Sequence, residues 1–284
     1  MKITIDHRSV EAERGQTILR AARGAGISIP TLCHHEGLSP YGSCRLCIVE
    51  ITRRGKTRMV TSCNYPLEEG LEVKTHSPKV MKHRKMLLEL LLARSPEVKV
   101  IQKMAGEMGI EKPRFPLENK DCILCGLCIR ICEEKMGVSA LTFVSRGLDE
   151  DVSTPFHISS ETCIGCGACA RICPTGAIQI EAIEDMLRIR RFHTSKVMYA
   201  CPSCGKYHVT ESQRDWMARR LGPHAFLTSL CMDCKRRGSA KIALMSNALQ
   251  KGPALASLIS NGTEESDLTP SKNLEFIHTM MGNK

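Results

Sequence analysis

All sixteen cysteines of this chain fall into four sets of four, and none is left over. The sets are Cys33, Cys44, Cys47 and Cys63; Cys122, Cys125, Cys128 and Cys132; Cys163, Cys166, Cys169 and Cys173; and Cys201, Cys204, Cys231 and Cys234. Most sit in C-x-x-C runs, where neighbouring thiolates suit a shared metal better than a disulfide framework. Aromatic residues make up only 4% of 284 residues, so no segment is rich in the large side chains that fill a conventional core. Small domains of that kind need metal or disulfide staples. The reading is therefore a string of small domains, each built around a metal centre.

The pattern between the cysteines divides the chain. Residues 1–75 read as a small α/β unit. In it Ile3 and Ile5 alternate as on a half-buried strand, and a short helix is capped near Thr17 and stopped around Gly24 and Gly26. A strand leaves the Cys44–Cys47 loop, turns at Arg53-Arg54-Gly55-Lys56, and returns over Thr57 to Ser62. Residues 76–117 read as a helical linker. Val80, Leu87, Leu88 and Leu91 recur at helical spacing, opposite a basic side assigned to Lys82, Arg84 and Lys85. Residues 118–185 hold an internal repeat, 196–238 a separate small unit, and 252–284 a polar tail with a Leu255–Leu258 patch. The fold class expected is α+β.

The first set has the spacing C-x10-C-x2-C-x15-C, which matches a [2Fe–2S] ligand set in general form. The run Ile29-Pro30-Thr31-Leu32-Cys33-His34-His35, followed by Gly42-Ser43-Cys44-Arg45-Leu46-Cys47-Ile48-Val49-Glu50, resembles the N-terminal ferredoxin domain of the complex I large iron–sulfur subunit. It is also similar to related subunits of NAD-linked hydrogenases and formate dehydrogenases. The resemblance covers residues 1 to about 95 and implies a β-grasp fold with one [2Fe–2S] cluster on these four cysteines. That family follows the domain with a cluster held by one His and three Cys. Here no cysteine lies between Cys63 and Cys122, so that cluster is expected to be missing and His76 and His83 to be surface residues. Electrons would then pass from the [2Fe–2S] centre directly to the next clusters, or through a partner subunit.

The second and third sets, each C-x2-C-x2-C-x3-C with Pro174 closing the third, carry the bacterial two-cluster ferredoxin signature. In that arrangement the fourth cysteine of each run serves the other cluster. One [4Fe–4S] cluster is thus assigned to Cys122, Cys125, Cys128 and Cys173, the other to Cys163, Cys166, Cys169 and Cys132. The wide gap before Cys163 is expected to add a hairpin over 139–158, with Leu141, Phe143 and Val144 alternating. The fourth set forms two knuckles of a zinc-ribbon-like unit, with structural Zn²⁺ favoured and a further iron–sulfur cluster the alternative, since four cysteines hold either metal. His208 and His224 are read as bystanders.

No G-x-G-x-x-G fingerprint, P-loop or nucleophile–base pattern is found, so the chain is expected to have no active site of its own. The formal charge of +10 is offset by about −2 for each four-thiolate centre, which weakens any argument for nucleic acid. No signal peptide or apolar run of spanning length is present, and a cytoplasmic location is expected. The reading is an electron-relay subunit of an NAD(P)H-linked complex. Its expected partners are an NAD(P)H-oxidising flavoprotein, a hydrogenase or formate dehydrogenase catalytic subunit, and soluble ferredoxin if the complex bifurcates electrons. The alternative is a metal-sensing or nucleic-acid-binding protein whose clusters serve structure.

Overall fold

The computed structural model describes residues 1–222, 225 and 228–239; the tail, the Leu255–Leu258 patch and His224 lie outside the described residues. The chain divides into two compact units. The first comprises Met1–Cys163, Gly167–Glu181 and Arg188–Ser195, and the second Ile164–Cys166, Ala182–Leu187 and the chain from Lys196 onward.

The first unit opens with a five-stranded mixed sheet. Its strands are β1 (Lys2–Ile5), β2 (Arg8–Glu11), β3 (Ile48–Arg53), β4 (Lys56–Thr61) and β5 (Glu72–Lys74), in the order β2-β1-β5-β3-β4. β1 runs parallel to β5, and every other pairing is antiparallel. Helix α1 (Ile18–Gly24) starts at Thr17, whose hydroxyl accepts the Arg20 N–H, and it buries Ile18, Leu19, Ala21 and Ala22. These join Ile3, Ile5, Val49, Ile51, Leu71 and Val73 in one core that also takes in Cys47 and Cys63. Alternation along β1 and β3 sends Ile3, Ile5, Val49 and Ile51 inward, as a sheet with one covered face requires.

The cysteine-free span supplies two helices. α2 (Pro78–Arg94) is capped by Ser77 and has proline in its first turn, where a missing N–H costs nothing. Pro96 follows its end, and α3 (Lys99–Glu107) packs back with Ile101 and Ala105 buried. Arg84 departs from the expected basic side, because it is only 2% exposed. The helical period explains this: Arg84 lies four residues after Val80 and four before Leu88, both buried, so it shares their face. His76 and His83 are exposed.

Beyond the linker come α4 (Leu127–Arg130), a π-helical turn at Ile131–Lys135, β6 (Thr142–Val144) and β7 (Asp151–Ser153). β6 and β7 pair antiparallel, forming a hairpin in the gap before Cys163. α5 (Ala168–Ile172) carries Cys169. A second core runs through Leu32, Cys33, Cys44, Leu46, Leu88, Leu92, Ile101, Ile123, Cys125 and Leu127. The ligand loops of the first two cysteine sets therefore share one apolar interior.

Strands β8 (Ile180–Ile183), β9 (Met186–Ile189), β10 (Thr194–Ala200) and β11 (Tyr207–Thr210) form a sheet in the order β11-β10-β9-β8, and β11 with the following helix α6 (Glu211–Leu221) belongs to the second unit. Thr210 caps α6 by accepting the Gln213 N–H at 3.0 Å, and its hydroxyl donates to the Ile164 carbonyl at 2.5 Å. The short segment Ile164–Cys166 is thereby held by this unit.

Candidate metal centres

The first set is buried in two neighbouring pairs, Cys33 with Cys44 and Cys47 with Cys63. Cys33, Cys47 and Cys63 are 1% exposed and Cys44 9%. The Leu32 N–H donates to Cys44 Sγ and the Cys44 N–H to Cys33 Sγ, each at 3.4 Å. Gly42 makes the approach to Cys44 feasible: its φ is +76°, and a Cβ there would stand 3.1 Å from Asn64 Nδ2. The Cys33 thiol is held down to about 6, chiefly by its hydrogen bond with Cys44, while Cys44 is pushed up by the same bond and by burial. Cys47 is likewise held down to about 6 by Cys63, and Cys63 is pushed up. Within each pair the hydrogen bond favours charge on one sulfur and opposes it on the other, so a cationic centre is needed before both members ionise.

Two arginines missed as site residues flank this loop. Arg84 donates from Nε to the Leu46 carbonyl at 3.0 Å and from Nη2 to the Ile48 carbonyl at 2.8 Å, straddling Cys47. Arg130 donates from Nη2 to the Cys33 carbonyl at 2.7 Å and from Nη1 to the Ser39 carbonyl at 2.5 Å. For Arg130 the available signal was its position between two ligands in Cys128-Ile129-Arg130-Ile131-Cys132. For Arg84 it was its place on the apolar helix face.

Cys122, Cys125, Cys128 and Cys173 line one enclosed cavity with Ile123, Val152, Ala177, Ile178 and Arg191. The structure therefore brings the fourth cysteine of the third run to the first three of the second run. Burial pushes the Cys125 thiol up to about 11, and burial with the neighbouring cysteines pushes Cys128 higher still. A dry pocket that penalises charge on Cys122, Cys125 and Cys128 but brings them together with Cys173 fits a cluster whose iron charge offsets that penalty. Gly126 begins α4 at φ +70°, and a Cβ there would meet Tyr41 Cε1 at 3.2 Å.

Of the remaining set, Cys132 lies in the π-helical turn, a wide turn often found at functional sites. Its sulfur accepts the Ala140 N–H at 3.4 Å, and its thiol is pushed up by burial, with Cys163 adding to the effect. Cys163 and Cys169 belong to the first unit, and Cys166 lies on the segment grouped with the second. Gly165, with φ +67°, leaves no room for a side chain: a Cβ would stand 2.7 Å from Thr210 Cγ2.

The fourth set gathers Cys201, Cys204, Cys231 and Cys234 with all four sulfurs within 4.8 Å of one another. Cys204 Sγ and Cys231 Sγ are 3.7 Å apart. Zinc–sulfur bonds of about 2.3 Å in a tetrahedron put the sulfurs about 3.8 Å apart, so this cage fits a single ion. The Gly205 N–H donates to the Cys201 carbonyl at 2.8 Å and the Cys231 N–H to Cys201 Sγ at 3.4 Å, closing the two knuckles. Cys234 is held down to about 6 by the Ser203 hydroxyl, against the cost of burial, with Cys204 and Arg237 adding to it. Both His208 ring nitrogens are buried without a hydrogen-bond partner, and His208 is not among the four clustered ligands.

Two families match this chain: the 2Fe-2S iron-sulfur cluster binding domain over residues 1–78, and the 4Fe-4S dicluster domain over residues 121–177. The chain is thus an iron–sulfur protein that joins these two kinds of domain, with a further four-cysteine cage behind them. It is homologous to subunits of NADH-linked oxidoreductases, in line with the resemblance carried by the run around Cys33 to Glu50. It is 33% identical over 232 residues to an NADH-quinone oxidoreductase subunit of Rhizobium meliloti, covering 72% of this chain and 27% of that protein. It is 35% identical over 179 residues to the NADH-ubiquinone oxidoreductase 75 kDa subunit of Reclinomonas americana, covering 54% and 26%. The chain therefore spans about a quarter of the length of these relatives. Among solved structures it is similar to a chain of an NAD+-reducing [NiFe]-hydrogenase in the H2-reduced state. That match has 29% identity and a TM-score of 0.54, covering 66% of this chain and 87% of the other. Among the described residues no helix is long and apolar enough to cross a membrane.

Proposed function

We propose that this chain is an electron-relay subunit of an NAD(P)H-linked oxidoreductase, carrying one [2Fe–2S] cluster, two [4Fe–4S] clusters and a structural zinc ion. The ligands are Cys33, Cys44, Cys47 and Cys63 for the [2Fe–2S] cluster. Cys122, Cys125, Cys128 and Cys173 hold the first [4Fe–4S] cluster, and Cys163, Cys166, Cys169 and Cys132 the second. Cys201, Cys204, Cys231 and Cys234 hold zinc, a choice supported by their single-ion spacing. When bound, the clusters supply one-electron chemistry at low potential. The protein's own residues hold them in dry pockets, donate N–H groups to their sulfurs and keep neighbouring loops in register.

The observation that carries this reading is the direct union of the first two ligand loops. Ser43 Oγ donates to the Leu124 carbonyl at 3.1 Å, and the Ser39 N–H donates to Glu134 at 2.8 Å. Cys33, Cys44 and Cys125 share one core. This arrangement supports transfer from the [2Fe–2S] centre straight to the first [4Fe–4S] centre, without the His/Cys cluster that the cysteine-free span cannot hold. The partners are a flavoprotein that exchanges hydride with NAD(P)H and a catalytic subunit of hydrogenase or dehydrogenase type. Bifurcation with soluble ferredoxin is the most specific form of the proposal.

The test is metal analysis with a reductive titration. Anaerobically purified protein should contain about ten irons and one zinc, with both cluster types giving EPR signals near −400 mV or below. Clusters that resist reduction, in a protein that binds DNA tightly and with strong salt dependence, would overturn the relay.

A further inference from the structure

Arg84 and Arg130 are buried cations with no carboxylate in ion-pair contact; Asp6 acts on Arg84 only through space. They are 2% and 8% exposed, and among the described residues neither forms an ion pair, although nine such pairs occur elsewhere. Arginine stays protonated at any accessible pH, so neither can shed its charge. A buried charge has to be offset by an opposite one or by several hydrogen bonds. Each guanidinium donates to two backbone carbonyls, and Arg130 also lies 5.2 Å from the Tyr41 ring. Those carbonyls belong to Leu46, Ile48, Cys33 and Ser39; Cys33 is itself a ligand of the first set, and Leu46 and Ile48 flank another, Cys47. The Nε of Arg130 has no hydrogen-bond partner at all.

The cavity of Cys122, Cys125, Cys128 and Cys173 is served differently. Its arginine, Arg191, forms an ion pair with Asp151, so its charge is already balanced. The two buried arginines without an ion pair both bond the backbone of the first ligand loop. Four thiolates around an oxidised [2Fe–2S] core leave about −2, and a one-electron reduction adds another negative charge. A fixed positive charge beside the ligand loop favours the reduced form more than the oxidised one.

We propose that Arg84 and Arg130 are the built-in counter-ions of the [2Fe–2S] centre, one on each side of its ligand loop, and that they raise its reduction potential. Arg130 is carried by α4, between Cys128 and Cys132, so the same residue fixes the Cys33–Ser39 loop against the dicluster domain. It acts through the cluster and its loop and is a positioning residue. The electron enters from a one-electron donor, such as the flavin of the proposed partner, and leaves to the neighbouring [4Fe–4S] centre. The arginines gain and lose nothing. This inference rests on the proposed assignment of a [2Fe–2S] cluster to the first cysteine set.

The experiment is an EPR-monitored redox titration of the full chain, wild type against Arg84→Gln, Arg130→Gln, Arg84→Lys and Arg130→Lys, with iron content measured in parallel. Each Gln variant should lower the equilibrium constant for reducing the [2Fe–2S] centre tenfold or more, a shift of at least about 59 mV for a one-electron couple. Each Lys variant, which keeps the charge, should stay within about threefold of wild type. A Gln variant with full iron content and a potential within threefold of wild type overturns the proposal, because a merely structural residue changes loading without moving the potential. If a Gln variant fails to load its cluster, the Lys variant decides, and a tenfold shift in a fully loaded Lys protein overturns the proposal as well. Failure of the underlying assignment looks different: wild-type protein would then lack a [2Fe–2S] signal altogether.

Discussion

The N-terminal sheet domain and the C-terminal four-cysteine unit hold their sulfurs in opposite ways. In the first, Ile3, Ile5, Ile18, Leu19, Val49, Ile51 and Val73 form a core that would exist without any metal, and Cys47 and Cys63 are buried with them. In the second, the buried cluster at the site is Cys201, Cys231 and Cys234 themselves, with Leu230 packed against them. One fold positions its ligands, whereas the other is positioned by them. The difference follows from burial: apolar area removed from water stabilises a sheet at about 25 cal/mol per Å², and four thiols around a single point bury too little to match it.

The largest effect should come from removing the metal at the fourth set. Binding of structural zinc is worth about 10–16 kcal/mol in small metal-folded units, so its loss unfolds what it holds. Treatment with a zinc chelator, or Cys231→Ser, should abolish amide-exchange protection over Tyr207–Thr210, β11. Protection over Lys2–Ile5 and Ile48–Arg53, β1 and β3, should be untouched. Protected β11 amides in zinc-free protein would erase the contrast.

The complementary experiment attacks the apolar core. Ile51 is fully buried in the centre of β3, between β4 and β5. Ile51→Ala should cost about 2–5 kcal/mol through lost transfer energy and the cavity it leaves. Denaturant unfolding of the first unit should show that loss with its cysteines loaded or empty. A cost seen only in the loaded protein would mean that the cluster, not the core, carries this domain.

The same contrast governs what could be read in the sequence. Cysteine spacing is a local property, so the grouping of Cys201, Cys204, Cys231 and Cys234, the turn at Gly55 and the Thr17 cap are legible in the sequence. The buried arginines were harder. Arg84 was grouped with Lys82 and Lys85 by charge, although its i±4 neighbours, Val80 and Leu88, place it inward. β5, β8 and β9 are too short and too irregular in apolar pattern to register as a period, and they are fixed by their sheet partners instead. Ile164–Cys166 groups with the C-terminal unit, and one contact there is the Thr210 hydroxyl on the Ile164 carbonyl, 46 residues away in sequence. No pattern within a sliding window reaches that far.

That hydroxyl's side chain sets up the smallest and most discriminating test. Gly165 and Gly55 both have positive φ, +67° and +74°, so alanine at either carries a backbone penalty of about 1 kcal/mol. Around Gly55, in the β3–β4 turn, nothing lies within 4 Å of a new methyl group. At Gly165 the methyl would stand 2.7 Å from Thr210 Cγ2, and Thr210 is fully buried and held at both its oxygen contacts, so it cannot swing aside. Gly55→Ala should therefore lower the unfolding free energy by about 1 kcal/mol and leave iron content unchanged. Gly165→Ala should displace the loop bearing Cys163 and Cys166, and iron content should fall by about four atoms, the load of one [4Fe–4S] cluster. Full iron in Gly165→Ala would show that the second unit tolerates a shifted ligand loop, and that its order does not depend on the sulfurs as closely as the contrast requires.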